Sequence, residues 1–349
     1  MPPAERGTRS TTCLTRVDFP TPGFPVTAIF MGCAGGIVAP RRDDAALTTA
    51  YRSPMFVVLL PTSLLAGAGW ALGRLGRVPA RPLAQVAFWV LSPALIFESL
   101  RTADLAASGT VVLFALAHLG GMFALSMGVG RAMFGSDRAG RTVASLVLTF
   151  GNCGNLGLPV LLFAYGQGGV DVGAVFLATH TVLLATLGVA VAAWDGHGGK
   201  KVWAALLRVP WLYAVGAAFF ARWVGIPDLL ARTTGLLAEG AIPLFLLLLG
   251  IELAQVRGVG VARGALALAL LRLVGGGALA WALAGAFRVQ GLLRGSLIVE
   301  GSVPTAVNAF LLASQYDRRP DLAASALFLS TLLSVGTLSL TLSLLGPGG

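Results

Sequence analysis

Charged residues are scarce in this sequence of 349 residues, since they make up only 11% of it, whereas a soluble domain averages about 25%. Cysteine is scarcer still. Cys13, Cys33 and Cys153 stand far apart and without nearby histidine pairs, which argues against a disulfide framework or a zinc site. The sequence also lacks the G-x-S-x-G and H-E-x-x-H patterns of common hydrolases. We therefore expect no enzyme, no cofactor and no metal site.

Hydrophobic residues are abundant instead, at 56% of the chain, and the mean hydropathy is +0.82. A helix needs roughly 20 apolar residues to cross about 30 Å of hydrocarbon, and runs of that length recur along the chain. The sequence predicts an all-α polytopic membrane protein with ten transmembrane helices, at approximately 55–73, 83–100, 110–130, 142–165, 171–193, 202–224, 229–253, 263–286, 292–314 and 321–345.

The net charge of +10 reflects arginines and lysines that stand singly or in small groups between the apolar runs. They are not interleaved with aromatic residues, so we expect the lipid bilayer and not nucleic acid as a partner. The odd-numbered loops carry more than twice as many basic residues as the even-numbered loops. The positive-inside rule then places the odd loops in the cytoplasm of a cell with this protein in its inner membrane, and both ends of the ten-helix unit outside.

Residues 1–54 differ from the rest, being rich in Pro, Thr and Arg, with one apolar stretch at 24–39 that is shorter than a span. Acidic residues and prolines interrupt the order expected of a signal peptide. We expect this N-terminal tail to be a disordered extension or a start-site artefact, with the native chain starting at Met55.

The chain also repeats itself. Four prolines in the first half have counterparts in the same order and at nearly the same spacing in the second half, namely Pro61 with Pro210, Pro79 with Pro227, Pro93 with Pro243 and Pro159 with Pro304. This predicts two five-helix repeats, at 55–195 and 202–345. An odd number of spans inverts the second repeat relative to the first, as in many secondary transporters that hold their substrate near the midplane.

The centre of the fourth span, Gly151 to Pro159, contains three glycines, two asparagines and a proline, which an intact helix would disfavour. Gly154 and Gly157 permit non-helical backbone, and Pro159 suits the first turn of a new helix. A kink that only improves packing is the alternative. We predict a broken helix at mid-membrane.

The ninth span carries Glu300, Gly301, Ser302, Pro304, Thr305 and Asn308 in the equivalent place, which predicts a second break. Unwound backbone must face protein or a wet cavity, so both breaks should line one site, where restarted helices offer free N–H groups to a carboxylate. The hydroxyl residues could instead serve packing or capping. The predicted substrate-binding residues are Gly151, Asn152, Gly154, Asn155, Pro159, Ser302, Pro304, Thr305 and Asn308.

Ionisable residues within spans usually have partners or a function. Glu300 abuts the second break and is the candidate for ion or proton coupling, and Arg272 could either counter the substrate charge or snorkel outward. Solvated positions near span ends are the expectation for Glu98 and Glu252, while Glu239 stays ambiguous. His118 and His180 could relay protons or hydrogen-bond to a neighbouring helix.

At these residues the chain resembles the auxin efflux carrier family, of the bile acid/auxin carrier-like superfamily, which includes bacterial malate and malonate permeases. The resemblance rests on "GNCGNLGLPV" from Gly151, "SVPTAVNAFLLASQYD" from Ser302, "PALIF" and "IPLFLLLLG". It implies a scaffold from the first two helices of each repeat, a moving crossover domain from the other three, and a homodimer. It also implies carboxylate binding at the crossover positions Asn152, Pro159, Pro304 and Asn308. The short segment 195–201 departs from the long loop of the auxin exporters.

These observations favour a secondary transporter of small organic anions with an elevator-like crossover mechanism, working by efflux or driven by the membrane potential. The alternative is a cation/proton exchanger or a sodium-coupled symporter of similar crossed-helix fold, although such proteins usually place carboxylates at the crossing. A non-transport membrane sensor is less favoured. An intramembrane enzyme would also need an aspartate pair or a nucleophile with its base, and the spans contain none.

Overall fold

The computed structural model describes residues 58–102, 105–193, 210–255 and 263–346. They belong to a single unit of the chain. The N-terminal tail at 1–54 and the loop at 195–201 lie outside the described residues.

The described residues form helices and contain no β-strand beyond one isolated bridge. In chain order the helices are α1 (Leu60–Arg74), α2 (Ala80–Thr102), α3 (Leu105–Phe134), α4 (Arg138–Thr149), α5 (Cys153–Ala193), α6 (Pro210–Val224), α7 (Asp228–Gln255), α8 (Arg263–Ala286), α9 (Gly291–Ser302), α10 (Val307–Gln315) and α11 (Pro320–Leu345). One π-helical turn lies within each of α2 and α8, and two lie within α5.

Six of these helices are long and apolar enough to cross a membrane: α2, α5, α7, α8 and α11 in full, and α3 from Ser108. The prediction of an all-α membrane protein is confirmed to that extent. The remaining described helices, α1, α4, α6, α9 and α10, are shorter than 18 residues. One break separates α4 from α5, and the other separates α9 from α10. The ten-helix arrangement in two inverted repeats stays a prediction.

Local sequence explains where several helices begin and bend. Asp137 caps α4, since its Oδ1 accepts a hydrogen bond from the Gly140 N–H at 3.0 Å. That bond and the Arg319 guanidinium, 2.9 Å away, hold the pKa of Asp137 below its usual value. Within α5, Gly166 has a φ of 67° and a ψ of −157°, which L residues rarely adopt, so the helix kinks between the fourth and fifth predicted spans.

Helices α1, α2, α6 and α7 pack on one another, with α7 against α1 as the most extensive contact in the described chain. Small residues bring α1 and α7 close together: a Cβ on Gly69 would lie 2.1 Å from the Leu247 carbonyl oxygen, and one on Gly250 would lie 1.9 Å from that of Ala66. The other helices, α3 to α5 and α8 to α11, form a second group around a core of Leu, Val, Ala and Phe side chains. The breaks lie inside this second group.

The four proline pairs of the predicted repeat do not all occupy matching positions. Pro61 and Pro210 both stand at helix starts, and Pro93 and Pro243 both lie within helices. Pro159, however, lies in the helical part of α5, whereas Pro304 lies in the extended second break. The segment equivalent to Pro304 in space is therefore Phe150–Asn152, which contains no proline.

Candidate functional site

Two extended segments cross at the centre of the second group of helices. Helix α4 ends at Thr149 and α5 begins at Cys153, and α9 ends at Ser302 and α10 begins at Val307. The segments between them pair as a short antiparallel bridge of Gly151 with Thr305. The Asn152 N–H donates to the Pro304 carbonyl at 2.7 Å, and the Ala306 N–H donates to the Phe150 carbonyl at 2.9 Å. Each broken helix thus uses the other to satisfy its unwound backbone.

The breaks are shorter than the sequence predicts. The expected non-helical region from Gly151 to Pro159 is wrong for most of its length, because Gly154 and Gly157 lie in a π-helical turn and Pro159 follows within the helix. In the ninth predicted span, Glu300, Gly301 and Ser302 are helical, and the break covers only residues 303–306. Glycine permits non-helical backbone without requiring it, so the glycines marked the region but not its limits.

The last four carbonyl groups of α4, which have no partner within an ordinary helix end, all find one. The Phe150 N–H donates to Leu146, and the Thr305 hydroxyl donates to Val147 at 3.3 Å. The Arg272 guanidinium takes the remaining two, with Nη1 at 3.0 Å from the Leu148 oxygen and 3.4 Å from the Thr149 oxygen. Because each of these four carbonyl groups accepts a hydrogen bond, α4 can end in the interior of the protein.

Arg272 connects both broken helices, because its Nε also donates to the Val303 carbonyl at the end of α9, at 3.0 Å. The residue is only 1% exposed, which excludes the outward, snorkelling orientation considered for it. A positive charge at two helix C-termini is electrostatically favourable. Arg272 therefore binds the protein's own backbone, and it does not line the cavity described below.

Both intramembrane histidines hydrogen-bond to neighbouring backbone. His180 Nε2 accepts from the Gly151 N–H at 3.1 Å, so its proton is on Nδ1 when the ring is neutral. His118 Nε2 lies 3.0 Å from the Gly276 carbonyl, to which it donates. The hydrogen-bonding interpretation is thus the one these contacts support: His180 holds the first break at Gly151, and His118 binds α8.

A cavity of about 90 Å³ opens beside the crossing. At roughly 15 Å³ per water it would hold about six water molecules, or a small organic molecule. Its first wall comes from the break segments and the helices that restart after them, and its second wall comes from α2 and α7. The first wall includes Gly151, Asn152, Gly154, Asn155, Val307 and Asn308.

Five of the nine predicted substrate-binding residues line this cavity, and four do not. Gly151, Asn152, Gly154, Asn155 and Asn308 do. Pro159, Ser302, Pro304 and Thr305 are buried away from it. Thr305 holds α4 through Val147, and the Ser302 hydroxyl donates to the Ile298 carbonyl of its own helix at 2.7 Å. These two hydroxyls serve packing and capping in the structure.

All three asparagines of the 349-residue sequence are at this cavity. Asn152 is 5% exposed, and its Nδ2 has no hydrogen-bond partner among the described residues. Asn308, in the first turn of α10, is exposed to the cavity. Asn155 Nδ2 donates to Glu252 Oε2 at 3.3 Å. Amide side chains that can donate and accept without charge are thus concentrated at one place in the chain.

The sequence did not indicate the second wall, to which Ser92, Phe88 and Phe245 contribute together with Glu252. A solvated position near a span end was expected for Glu252, and this is wrong: the side chain is half-buried and reaches the crossing through Asn155. Its position near the end of α7 concealed this, because only the packing of α7 on the start of α5 brings it to the cavity.

Glu300 occupies a different place. It is 0% exposed, neither carboxyl oxygen has a hydrogen-bond partner among the described residues, and it does not line the cavity. Its oxygens lie against two glycines of α5: a Cβ on Gly157 would be 2.6 Å from Oε2, and one on Gly173 would be 2.9 Å from Oε1. The Cys153 thiol and Arg272 are the groups that act on it electrostatically.

Two features define the class of protein: apolar membrane-length helices, and a polar cavity where two broken helices cross within them. That combination is typical of integral membrane transporters. Residues 54–195 and 197–342 match the membrane transport protein family, to which this chain therefore belongs.

Two archaeal relatives are each named an uncharacterized transporter. The one from Methanothermobacter thermautotrophicus is 32% identical over 279 residues, which cover 77% of this chain and 90% of the relative. The one from Methanocaldococcus jannaschii is 26% identical over 309 residues, which cover 82% of this chain and 97% of the relative.

Proposed function

We propose that this protein is a secondary carrier of small organic anions, with carboxylates as the substrate class. The observation that carries the proposal is the cavity wall formed by two restarted helices. Their first turns present backbone N–H groups that no residue further back in the helix can bond. Neither N-cap residue, Asn152 or Ala306, supplies a side-chain capping bond.

The electrostatics of this wall suit an anion. Each helix N-terminus carries the equivalent of about half a positive charge, and carboxylates bind readily at such termini. The unpaired Nδ2 of Asn152 and the exposed amide of Asn308 add donors beside the two helix starts. Among the described residues no Lys or Arg lines the cavity, so the helix termini and the amides are its electropositive groups.

The packing of the two groups of helices supports the proposal of an elevator-like movement. The cavity lies between them, with α5 and α10 on one side and α2 and α7 on the other. We propose that α3 to α5 and α8 to α11 carry the substrate against α1, α2, α6 and α7. The Asn155–Glu252 hydrogen bond joins the two groups across the cavity, so this movement would break it.

The setting of this carrier is part of the proposal. Loop charges favour the cell (inner) membrane with the odd-numbered loops cytoplasmic, and the family resemblance favours a homodimer. An inside-negative potential of 100 mV is worth about 2.3 kcal/mol per charge and would drive a net monoanion outward roughly 50-fold. We therefore expect efflux, or movement driven by the membrane potential.

The test uses purified protein in liposomes and measures exchange of radiolabelled for unlabelled malate, malonate and lactate. Exchange needs no particular driving force, so it reports binding and translocation alone. We expect exchange of at least one acid, and at least a tenfold loss in Asn152→Ala and Asn308→Ala. Gln315→Ala, an exposed amide on the same helix as Asn308, is the matched control and should exchange normally.

Absence of exchange for every acid, or exchange unaffected by both asparagine changes, would refute an anion carrier working at this cavity. Parallel measurements of sodium and proton flux in the same liposomes would then identify a cation exchanger or sodium-coupled symporter of similar fold. If the protein moved none of these solutes, a non-transport sensor would be the remaining candidate.

A further inference from the structure

Glu252 places a carboxyl group in a cavity proposed to bind a carboxylate. One of its oxygens, Oε2, accepts from Asn155 Nδ2 at 3.3 Å, and Asn155 belongs to the wall formed by the restarted helix. The residue is half-buried and lines the cavity from α7. An ionised Glu252 and a bound substrate anion would therefore share one small, partly enclosed space.

Among the described residues, no Lys or Arg side chain lines the cavity to offset this pair. The titratable side chains lining the cavity besides Glu252 are Cys153 and His180 of α5, and His180 Nε2 already accepts from the Gly151 N–H. Helices α2 and α10 face the cavity with uncharged side chains. Arg74 at the end of α1 and Arg81 near the start of α2 are exposed and do not line it.

Two carboxylates that share a site do not both stay ionised, since each disfavours the charged form of the other. We infer that Glu252 takes up a proton when a substrate carboxylate enters the cavity, so that one proton accompanies each anion. This inference rests on the proposed function and names its coupling ion. Binding linkage is reciprocal, so the proton strengthens anion binding by the same factor as the anion strengthens proton binding.

Glu252 suits this role better than Glu300, the candidate suggested by the sequence. A coupling proton must reach its site from water, and Glu252 lines the open cavity, whereas Glu300 is fully buried against Gly157 and Gly173. Glu252 also lies on the opposite side of the cavity from the moving crossover, to which Asn155 connects it. Its environment therefore changes when the two groups of helices shift.

The charge carried per substrate distinguishes this mechanism. Lactate with one proton moves without net charge, so its flux should respond to a pH gradient and not to an imposed potential. Malate and malonate with one proton retain one negative charge and should respond to both. Potential-driven movement is therefore expected for the dianions malate and malonate, and not for lactate.

The experiment measures lactate and malonate flux in liposomes under a potassium-diffusion potential at equal pH, and under a pH gradient at zero potential. Glu252→Gln, whose amide keeps an oxygen for the Asn155 bond, is assessed by the ratio of the two driven fluxes, which does not depend on its absolute rate of transport. Lactate flux should become potential-driven and lose its response to the pH gradient by at least tenfold. Glu239→Gln, an exposed glutamate on the same helix, is the matched control and should match the unaltered protein.

A second measurement needs no transport. Addition of lactate or malonate to the purified protein in weakly buffered solutions at a series of pH values from 7.5 to 9.5, followed by a pH indicator, should show uptake of up to one proton per anion bound. Glu252→Gln should bind without this uptake.

The two proposals fail separately. Exchange without proton uptake, or with the same potential dependence in Glu252→Gln, would overturn the role of Glu252 and leave the carrier intact. Preferential exchange of alanine over lactate that is lost in Glu252→Gln would also overturn it, by showing that the carboxyl binds a substrate ammonium. Absence of exchange for every acid in the unaltered protein would refute the carrier, and the proton coupling with it.

Discussion

The two helix breaks cross at one point but differ in what surrounds them. The first exposes Gly151 and Asn152 to the cavity, and the helix that follows it contributes Asn155. The second is enclosed: Thr305 is 0% exposed, its N–H donates to the Ser330 hydroxyl at 3.2 Å, and its hydroxyl holds α4. That segment reaches the cavity only at residue 306, where the second break ends, and at residues 307 and 308 in the first turn of α10.

The two segments look equivalent in sequence, but this difference indicates that they have different roles. The first break faces the ligand, and the second supports it. Arg272 connects them, because it neutralises the negative ends of both α4 and α9 while staying out of the cavity. The predictions below test that difference in roles, from the largest expected effect to the smallest.

Removal of Arg272 should damage both breaks together. Arg272→Met would leave three buried carbonyl groups, at Leu148, Thr149 and Val303, without their charged donor. Hydrogen bonds to charged groups contribute about 1.5–3 kcal/mol each, so we expect a loss of at least about 3 kcal/mol. Thermal unfolding followed by tryptophan fluorescence in detergent measures the change.

Arg263→Met is the matched control for this change, because Arg263 is exposed at the start of the same helix. It should unfold at the temperature of the unaltered protein. Equal stability of the Arg272 and Arg263 variants would contradict the role of Arg272 as the connection between the breaks.

Gly151, in the first break, and Gly154, just after it, should respond very differently to alanine. A Cβ on Gly151 would lie 2.2 Å from Arg272 Nη2, so Gly151→Ala must displace the guanidinium or open the crossing, at a cost of about 1–3 kcal/mol. A Cβ on Gly154 would lie 3.5 Å from Leu177, an ordinary contact, in helical backbone that alanine favours.

Comparison of the two variants by thermal unfolding and by exchange of the acids above checks this difference. We expect Gly151→Ala to lose both stability and exchange, and Gly154→Ala to keep its stability. A Gly151→Ala protein as stable as Gly154→Ala would show that the Arg272 guanidinium does not closely contact Gly151.

The enclosed second break predicts a smaller effect at Thr305. Thr305→Val removes the hydroxyl that donates to Val147 and leaves that buried carbonyl unpaired, at about 1–2 kcal/mol. Ser302→Ala removes only a bond within its own helix and should cost less than about 0.5 kcal/mol. Denaturation measured for both variants tests this order, and a reversed order would place the structural contact at Ser302 instead.

The sequence was sufficient to predict membrane helices and the neighbourhood of both breaks, because apolar length and clustered Gly, Asn and Pro are local signals. It placed the restart of the first broken helix at Pro159, yet the structure places this restart at Cys153. The true limits depend on the pairing of Gly151 with Thr305, more than 150 residues apart, and on the reach of Arg272 from a third helix. Such contacts leave no periodic pattern.

Glu252 and the rest of the second cavity wall were missed for the same reason. The position of Glu252 near the end of α7 is typical of a solvated residue, and nothing near it in the chain marks a site. Asn308, by contrast, was predicted and does line the cavity, because it directly follows the second break. The sequence thus indicated Asn152, Asn155 and Asn308, which lie in or close to the breaks, but not the residues of α2 and α7 that packing brings to the cavity.

The helices that lead into the two breaks offer the mildest comparison. Asp137 caps α4, but Gln290 at the start of α9 makes no side-chain capping bond. Asp137→Ala should therefore lower stability by about 0.5–1 kcal/mol, towards the low end because the side chain is exposed, and Gln290→Ala should leave it unchanged. Thermal unfolding at pH 7 measures both variants.

The effect of Asp137→Ala should also depend on pH. Because the Gly140 N–H and Arg319 lower the pKa of Asp137 in the folded protein, its stabilisation is complete above the unfolded pKa of about 3.9 and is lost as the pH falls through the folded value. The difference between Asp137→Ala and the unaltered protein should be constant from pH 7 to about pH 5 and shrink below that. A difference that grew on acidification would mean that Asp137 is not the ionised cap of the helix leading into the first break.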